Sequence, residues 1–317
     1  MGLISRLTQI NDLEDCIRLT RNRFAFSESD HKNLVDFWRY LLTEKMAISA
    51  VIVNETGRLV AFGMSVFVTD EFAERACSAL PPYYAVNIFE QWRCGAAYLP
   101  LLDASQIKRA NCGDGLNVAV LHRGWENSEI GISPEEFRFG PKLYESFISL
   151  HLGFRIKRLQ LEVYGNIDRE RMIAFGFRSR TDYSNTFTPG STPAPEGLAP
   201  YLMEATATDM LSRPYHPTTA LFLPRQVEIY FSMGEQALLN RALIGEKDDD
   251  IAQDLGISTA TIHKRWRSIF ARVESSNIGL LTSSNATARG ASKRHIVLRY
   301  LLEHPEELRP VARPSSL

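Results

Sequence analysis

The residues best placed to do chemistry lie between 258 and 273, where His263, Lys264, Arg265, Arg267 and Arg272 follow Ser258 and Thr261. At 100° per residue, Ile262, Trp266, Ile269, Phe270 and Val273 share one arc of a helix, and His263, Lys264 and Arg267 share the adjoining arc. Such a face can enter a groove of a polyanion, with Arg265 and Arg272 further round towards its phosphates. The same HKRWR run also reads as the solvated face of an amphipathic helix.

Other groupings are weaker. Cys77, Cys94, Cys112 and His122 are possible metal ligands, but structural zinc sites show at least one close pair and none is present, so no metal is expected. Cys112, Asp114 and His122 form a possible nucleophilic set, yet their separation in sequence says nothing of contact, and no catalytic residue is assigned. Trp38, Tyr83, Tyr84, Trp92 and Trp125 line either a ligand pocket or the core. The four cysteines are too scattered for a disulfide framework and are expected as reduced thiols.

Three helical blocks must position the basic face: Leu238, Leu239 and Ala242; Ile251, Ala252 and Leu255; then Ile262 to Val273. Between the last two, Gly256 suits a left-handed C-cap, Ile257 a core plug and Ser258 an N-cap. That is the turn of a helix-turn-helix. A further stripe, Ile296, Val297, Tyr300 and Leu301, needs cover from its own domain or from a second copy.

These residues resemble the LuxR/GerE output domain. Ser232, Glu235, Leu239, Gly245, Ile251, Ala252, Leu255, Gly256, Ile257, Ser258, Thr261 and Ile262 match its pattern without gaps. Lys247 departs from the usual Ser or Thr cap, and Trp266 replaces a smaller aliphatic residue. The resemblance implies double-stranded DNA as partner, with His263, Lys264 and Arg267 facing base edges and Lys264 or Arg267 bonding a guanine.

Upstream the elements alternate. Expected are a strand at 3–7, a helix from Asn11 or Asp12, a helix over 34–42 and a hairpin of 48–53 with 59–68 about Glu55-Thr56-Gly57. An irregular stretch over 70–114 follows, then a strand at 116–121, a helix over 141–152, a strand at 158–163 and a short helix ending in Ala174-Phe175-Gly176-Phe177-Arg178. This order resembles the N-acetyltransferase superfamily of the GNAT type over residues 3–183. In that family a Gly-rich loop at a helix start holds the pyrophosphate of coenzyme A. The matching segment, Glu135 to Pro141, carries one Arg and one Gly at another spacing, and Pro141 removes a donor. No acetyltransferase turnover and no cofactor are therefore expected.

The chain thus reads as an α+β domain over 1–183, a Pro-rich linker over 184–224 and an all-α helix-turn-helix domain over 225–317. At 317 residues, 44% apolar and 23% charged, it has the length for two cores and the composition of an ordinary globular protein. From Phe222 onward 13 Lys and Arg face 11 Asp and Glu, so the net charge of -1 hides only a mild asymmetry. No apolar run is long enough to span a bilayer and no signal peptide opens the chain. The expectation is a cytoplasmic regulator, a homodimer on duplex DNA, whose first domain takes a small-molecule effector or a partner protein. The alternative is an acyl-CoA-dependent N-acyltransferase with an appended DNA-binding domain.

Overall fold

The two longest strands, Leu59–Val68 and Leu116–Trp125, pair near the centre of the sheet that organises the first unit. The computed structural model describes residues 2–21, 28–78, 80–126, 134–185, 198–213, 216–223, 225–276, 278–281 and 290–311. The chain divides into two units, residues 1–151 with 155–223 and residues 152–154 with 224–317. Among the described residues no helix is long and apolar enough to cross a membrane.

In the first unit β1 (Ile4–Leu7), α1 (Leu13–Arg21) and α2 (Glu28–Thr43) precede the hairpin of β2 (Ala47–Val53) and β3 (Leu59–Val68). Asn54 closes that hairpin, its side-chain oxygen accepting from the N–H groups of Thr56 and Arg58, and Gly57 takes φ of 78°. Next come α3 (Asp70–Ala76), α4 (Tyr84–Arg93), α5 (Ala104–Cys112), β4 (Leu116–Trp125), α6 (Pro134–His151) and β5 (Ile156–Tyr164). The unit ends with α7 (Gly165–Ala174), β6 (Arg178–Asp182), β7 (Pro200–Thr206) and α8 (Ala207–Leu211).

The strands form one mixed sheet in the order β1-β2-β3-β4-β5-β7-β6. Only β4 and β5 run parallel, and α6 is the crossover between them. The main core, with Leu13, Ile17, Phe37, Trp38 and Ile88 all within 1% of full burial, packs α1, α2 and α4 on one face. A smaller cluster of Ile52, Val60, Trp125, Phe139 and Leu143 lies beneath α6 on the other.

Two expectations are corrected. The stretch 70–114 holds three helices rather than irregular chain. Thr69 caps α3 by accepting from Phe72 N–H, and Asp103 with Gln106 forms a capping box on α5, while Pro81-Pro82 falls in the gap before α4. The expected linker over 184–224 is not one. Its described part contains β7, which is inserted between β5 and β6, so the first unit runs to Leu223; residues 186–197 lie outside the described residues.

The second unit contains α9 (Met233–Leu243), α10 (Asp248–Asp254), α11 (Thr259–Ser275) and α12 (Gly290–Glu303). Leu238, Leu239, Ile251, Ile262, Ile269, Val297 and Leu301 are buried together, so the stripe on α12 is covered within its own unit. Gly256 takes φ of 63° in the connection between α10 and α11, and Ser258 caps α11 by accepting from Thr261 N–H. Lys247 stands at the N-cap of α10 without a side-chain bond. Trp266 fixes three helices at once, because its indole N–H donates to Asp248 at 3.3 Å and Arg294 stacks on its ring at 4.6 Å.

Candidate functional site

A cavity of about 530 Å³ lies in the first unit, between the sheet and helices α6 and α7. Its walls are mostly apolar, with Leu143, Phe147, Leu159, Leu161, Met172 and Phe177 among them. Gly63 contributes to its floor by admitting Leu143, whose Cδ1 would stand 3.3 Å from a Cβ there. Cavities of this size and character hold drug-sized molecules.

Polar groups enter it from several elements. Ser65 Oγ of β3 lies 2.9 Å from His151 Nε2 of α6, and His151 Nδ1 lies 2.8 Å from the Phe147 carbonyl. The carbonyl can only accept, so Nδ1 carries a proton, and the Ser65 hydroxyl sits between Nε2 and the Ile48 carbonyl, 3.4 Å away. Tyr144 shares a hydrogen bond of 2.7 Å with Thr218, and burial pushes its phenol up. Arg123 of β4 and Arg171 of α7 both donate to Asp168, at 3.2 Å and 3.4 Å. Burial drives the His122 imidazole down to about 3, so it is neutral at pH 7, with its ring tilted 43° against that of Trp38 at 4.9 Å.

Beside the cavity the two parallel strands separate. Their pairing ends at Val120 with Leu161, after which β4 stays with β3 and β5 with β7. A register shift between Met64 and Ser65 leaves Leu121 as a bulge at that point. On the opposite face of β5 from Leu161 lies Glu162, whose carboxylate accepts from Tyr83 N–H at 2.7 Å and Tyr84 N–H at 3.1 Å, at the start of α4. Burial pushes this carboxyl up to about 8 against the pull of both N–H groups. The Tyr83 hydroxyl is buried with no hydrogen-bond partner among the described residues.

In the second unit His263, Lys264 and Arg267 are exposed on α11, and no ion pair engages Lys264 or Arg267 among the described residues. Arg265 and Arg272 turn instead onto α9, Arg265 donating to the Gly234 carbonyl at 3.3 Å and Arg272 to Glu235 at 3.1 Å. Thr261 is half-buried, and its hydroxyl lies 2.9 Å from that of the exposed Ser258. His263 is 3.9 Å from Asp248.

The remaining sequence candidates disperse. Trp38, Tyr83 and Tyr84 are buried and Trp92 packs against the same core, whereas Trp125 lines the cavity. Cys112 is exposed at the end of α5, whereas His122 is buried on β4. Cys77 donates to Glu204 at 3.2 Å, and burial with that carboxylate pushes its thiol up to about 11. Glu204 is itself buried, held by Arg158 at 3.2 Å and Arg180 at 2.6 Å. Pro141 lies inside α6 rather than at its start, so the donor it lacks is not one of the free first-turn N–H groups; that corrects the expected role of the segment 135–141.

No protein-family model matches the chain. No curated protein matches it either. Among solved structures it is similar to the C-terminal condensation domain of Ebony, at 9% identity and a TM-score of 0.40, over 65% of this chain and 99% of that one. It is similar to a spermidine N-acetyltransferase chimera from Vibrio cholerae at 10% identity and a TM-score of 0.39, over 67% and 100% of the two chains. The ribosomal-protein-S18-alanine N-acetyltransferase of Escherichia coli follows at 11% identity and a TM-score of 0.36, over 65% and 94%.

Proposed function

We propose that the chain is a DNA-binding transcription regulator of the LuxR/GerE type whose first unit binds a small-molecule effector in its cavity. The observation that carries the reading is the division of basic residues on α11. Lys264 and Arg267 stand exposed on the side away from Ile262, Trp266 and Ile269, while Arg265 and Arg272 are tied to α9. A groove-reading helix needs such a face, with long cationic side chains unengaged before DNA arrives. Two copies on a two-fold operator belong to the same reading.

The test is selection of duplexes from a random pool by the purified chain, followed by anisotropy titrations over a range of salt. Each of Lys264→Ala and Arg267→Ala should weaken binding by about 1–3 kcal/mol and lower the salt slope by about one. Failure to enrich any duplex at 150 mM salt, a condition about which specific complexes form with nanomolar affinity, refutes the reading.

A second reading, an acyl-CoA-dependent N-acyltransferase, is favoured by one observation: Glu162, raised to about 8, sits where β4 and β5 separate and accepts from the Tyr83 and Tyr84 N–H groups. A carboxyl poised near neutrality is suited to take a proton from an attacking amine. The segment 127–133 before α6 lies outside the described residues. Consumption of acetyl-CoA with pooled amines, lost in Glu162→Gln, would establish this reading over the first.

A further inference from the structure

We infer that the cavity takes an apolar chain bearing a free carboxylate, with the carboxylate held at Arg123. The inference rests on the reading of the first unit as an effector domain and names the chemistry of what it binds. The walls are mainly Leu, Met and Phe, which favours hydrocarbon over most of a ligand's length. What remains is to find which end meets a polar head.

At the end formed by Ser65 and His151 both side chains are already engaged. The Ser65 hydroxyl lies 2.9 Å from His151 Nε2 and 3.4 Å from the Ile48 carbonyl, and the ring Nδ1–H is given to the Phe147 carbonyl, so these bonds leave no donor over for an anion. The other end is cationic. Arg123 stands opposite Gly63 across β3 and β4, two strand positions from Ser65, and its guanidinium is mostly buried at 21% exposure. It gives one N–H to Asp168, and a guanidinium has five. Arg171 reaches the other oxygen of the same Asp168, so one carboxylate lies between two guanidinium groups that both line the cavity. A carboxylate entering there meets the planar fork that pairs with it bidentately, in surroundings dry enough to strengthen the bond.

The chain shape follows from the same elements. Arg123 lies beyond the point where β4 leaves β5, whereas Ser65 and His151 lie beside the paired part, and α6 covers the length between them. A linear tail anchored at Arg123 therefore runs under α6 towards His151.

Calorimetry on the full chain tests this with octanoate, dodecanoate and hexadecanoate, with dodecanol and methyl dodecanoate, and with dodecanoyl-coenzyme A. One carboxylate of the series should bind per chain, at least roughly tenfold tighter than the alcohol or ester of equal length, as a charge-assisted bond requires. Arg123→Gln should bring dodecanoate to the level of dodecanol and leave dodecanol unchanged, a split that general damage to the fold would not produce. Arg123→Lys should keep part of the preference, and Met172→Trp should weaken acid and alcohol together. Equal binding of acid and ester overturns the inference, as does an equal loss of both in Arg123→Gln. A tenfold preference for dodecanoyl-coenzyme A over dodecanoate also overturns it and assigns the anion to the coenzyme. Duplex binding is measured on the same preparations. Carboxylate binding without any duplex binding refutes the regulator alone, and duplex binding without carboxylate binding refutes this inference alone.

Discussion

Glu235→Ala should loosen the second unit where α9 meets α11. The Glu235 carboxylate is 4% exposed and accepts from Ser232 N–H at 2.7 Å, from Ser268 Oγ at 2.7 Å and from Arg272 Nε at 3.1 Å. Burial alone would push the carboxyl up, but the Ser232 N–H, the Ser268 hydroxyl and the Arg272 guanidinium together hold it below its ordinary 4.5. Losing the capping box costs about 1 kcal/mol. Unpairing Arg272, which is one-third exposed and can turn to water, together with Ser268 adds about 1–2 kcal/mol more. Amide exchange in peptides from 233–243 and 259–275 that opens with the unit should therefore quicken by roughly 30- to 150-fold. E235Q should show about half of that, since an amide oxygen still serves Ser232 while its NH₂ meets the donors of Arg272. The sign of the pH dependence is fixed as well. A carboxyl with a lowered folded value stabilises fully above 4.5, and that stability fades as pH falls through the folded value, so wild type and E235Q should converge in acid. A change under fivefold at pH 7 in Glu235→Ala, or an undiminished gap at pH 3, would refute the network.

Three further outcomes are expected. Arg267→Ala should weaken a selected duplex by about 1–3 kcal/mol and relax its sequence preference, whereas Arg265→Ala, whose guanidinium is tied to the Gly234 carbonyl, should leave duplex affinity within about twofold. His122 is neutral when folded and protonated when unfolded between about 3 and 6.5, so stability falls with pH in that window, and His122→Phe should reduce proton uptake on acid unfolding by about one. Glu162 has the opposite sign: protonated when folded up to about 8 and ionised when unfolded above 4.5, it loses stability as pH rises through that range, and Glu162→Gln should flatten the loss in urea titrations at pH 5 and 8.

What could be read from the sequence was what local rules decide. The β2–β3 hairpin followed from two apolar runs about a turn, and the α10–α11 connection from Gly256 and Ser258, because the residues that make those features are neighbours. The burial of Trp266 followed from helical period, but its partners Asp248 and Arg294 stand 18 and 28 positions away and no period announces them. β7 was hidden by its own residues. It opens at Pro200, where a strand tolerates proline, and carries Glu204, which reads as solvent-facing until Arg158 and Arg180 are seen to hold it. The cavity was beyond reach for a similar reason, since Ser65 and His151 are 86 positions apart and meet only when α6 crosses the sheet.

The late position of β7 in the chain also sets a clock. During synthesis β5 emerges with its alternating apolar residues Leu159, Leu161 and Val163, paired on one side to β4 and bare on the other. Its second neighbour arrives only with Thr206, roughly forty residues and about 2–8 seconds later at ordinary translation speeds. For that interval the nascent chain presents an open edge of the kind that recruits other strands. Yield in the cell should therefore depend on translation rate across residues 165–206 and on chaperones that shield strand edges, even in a chain whose finished sheet is fully stable.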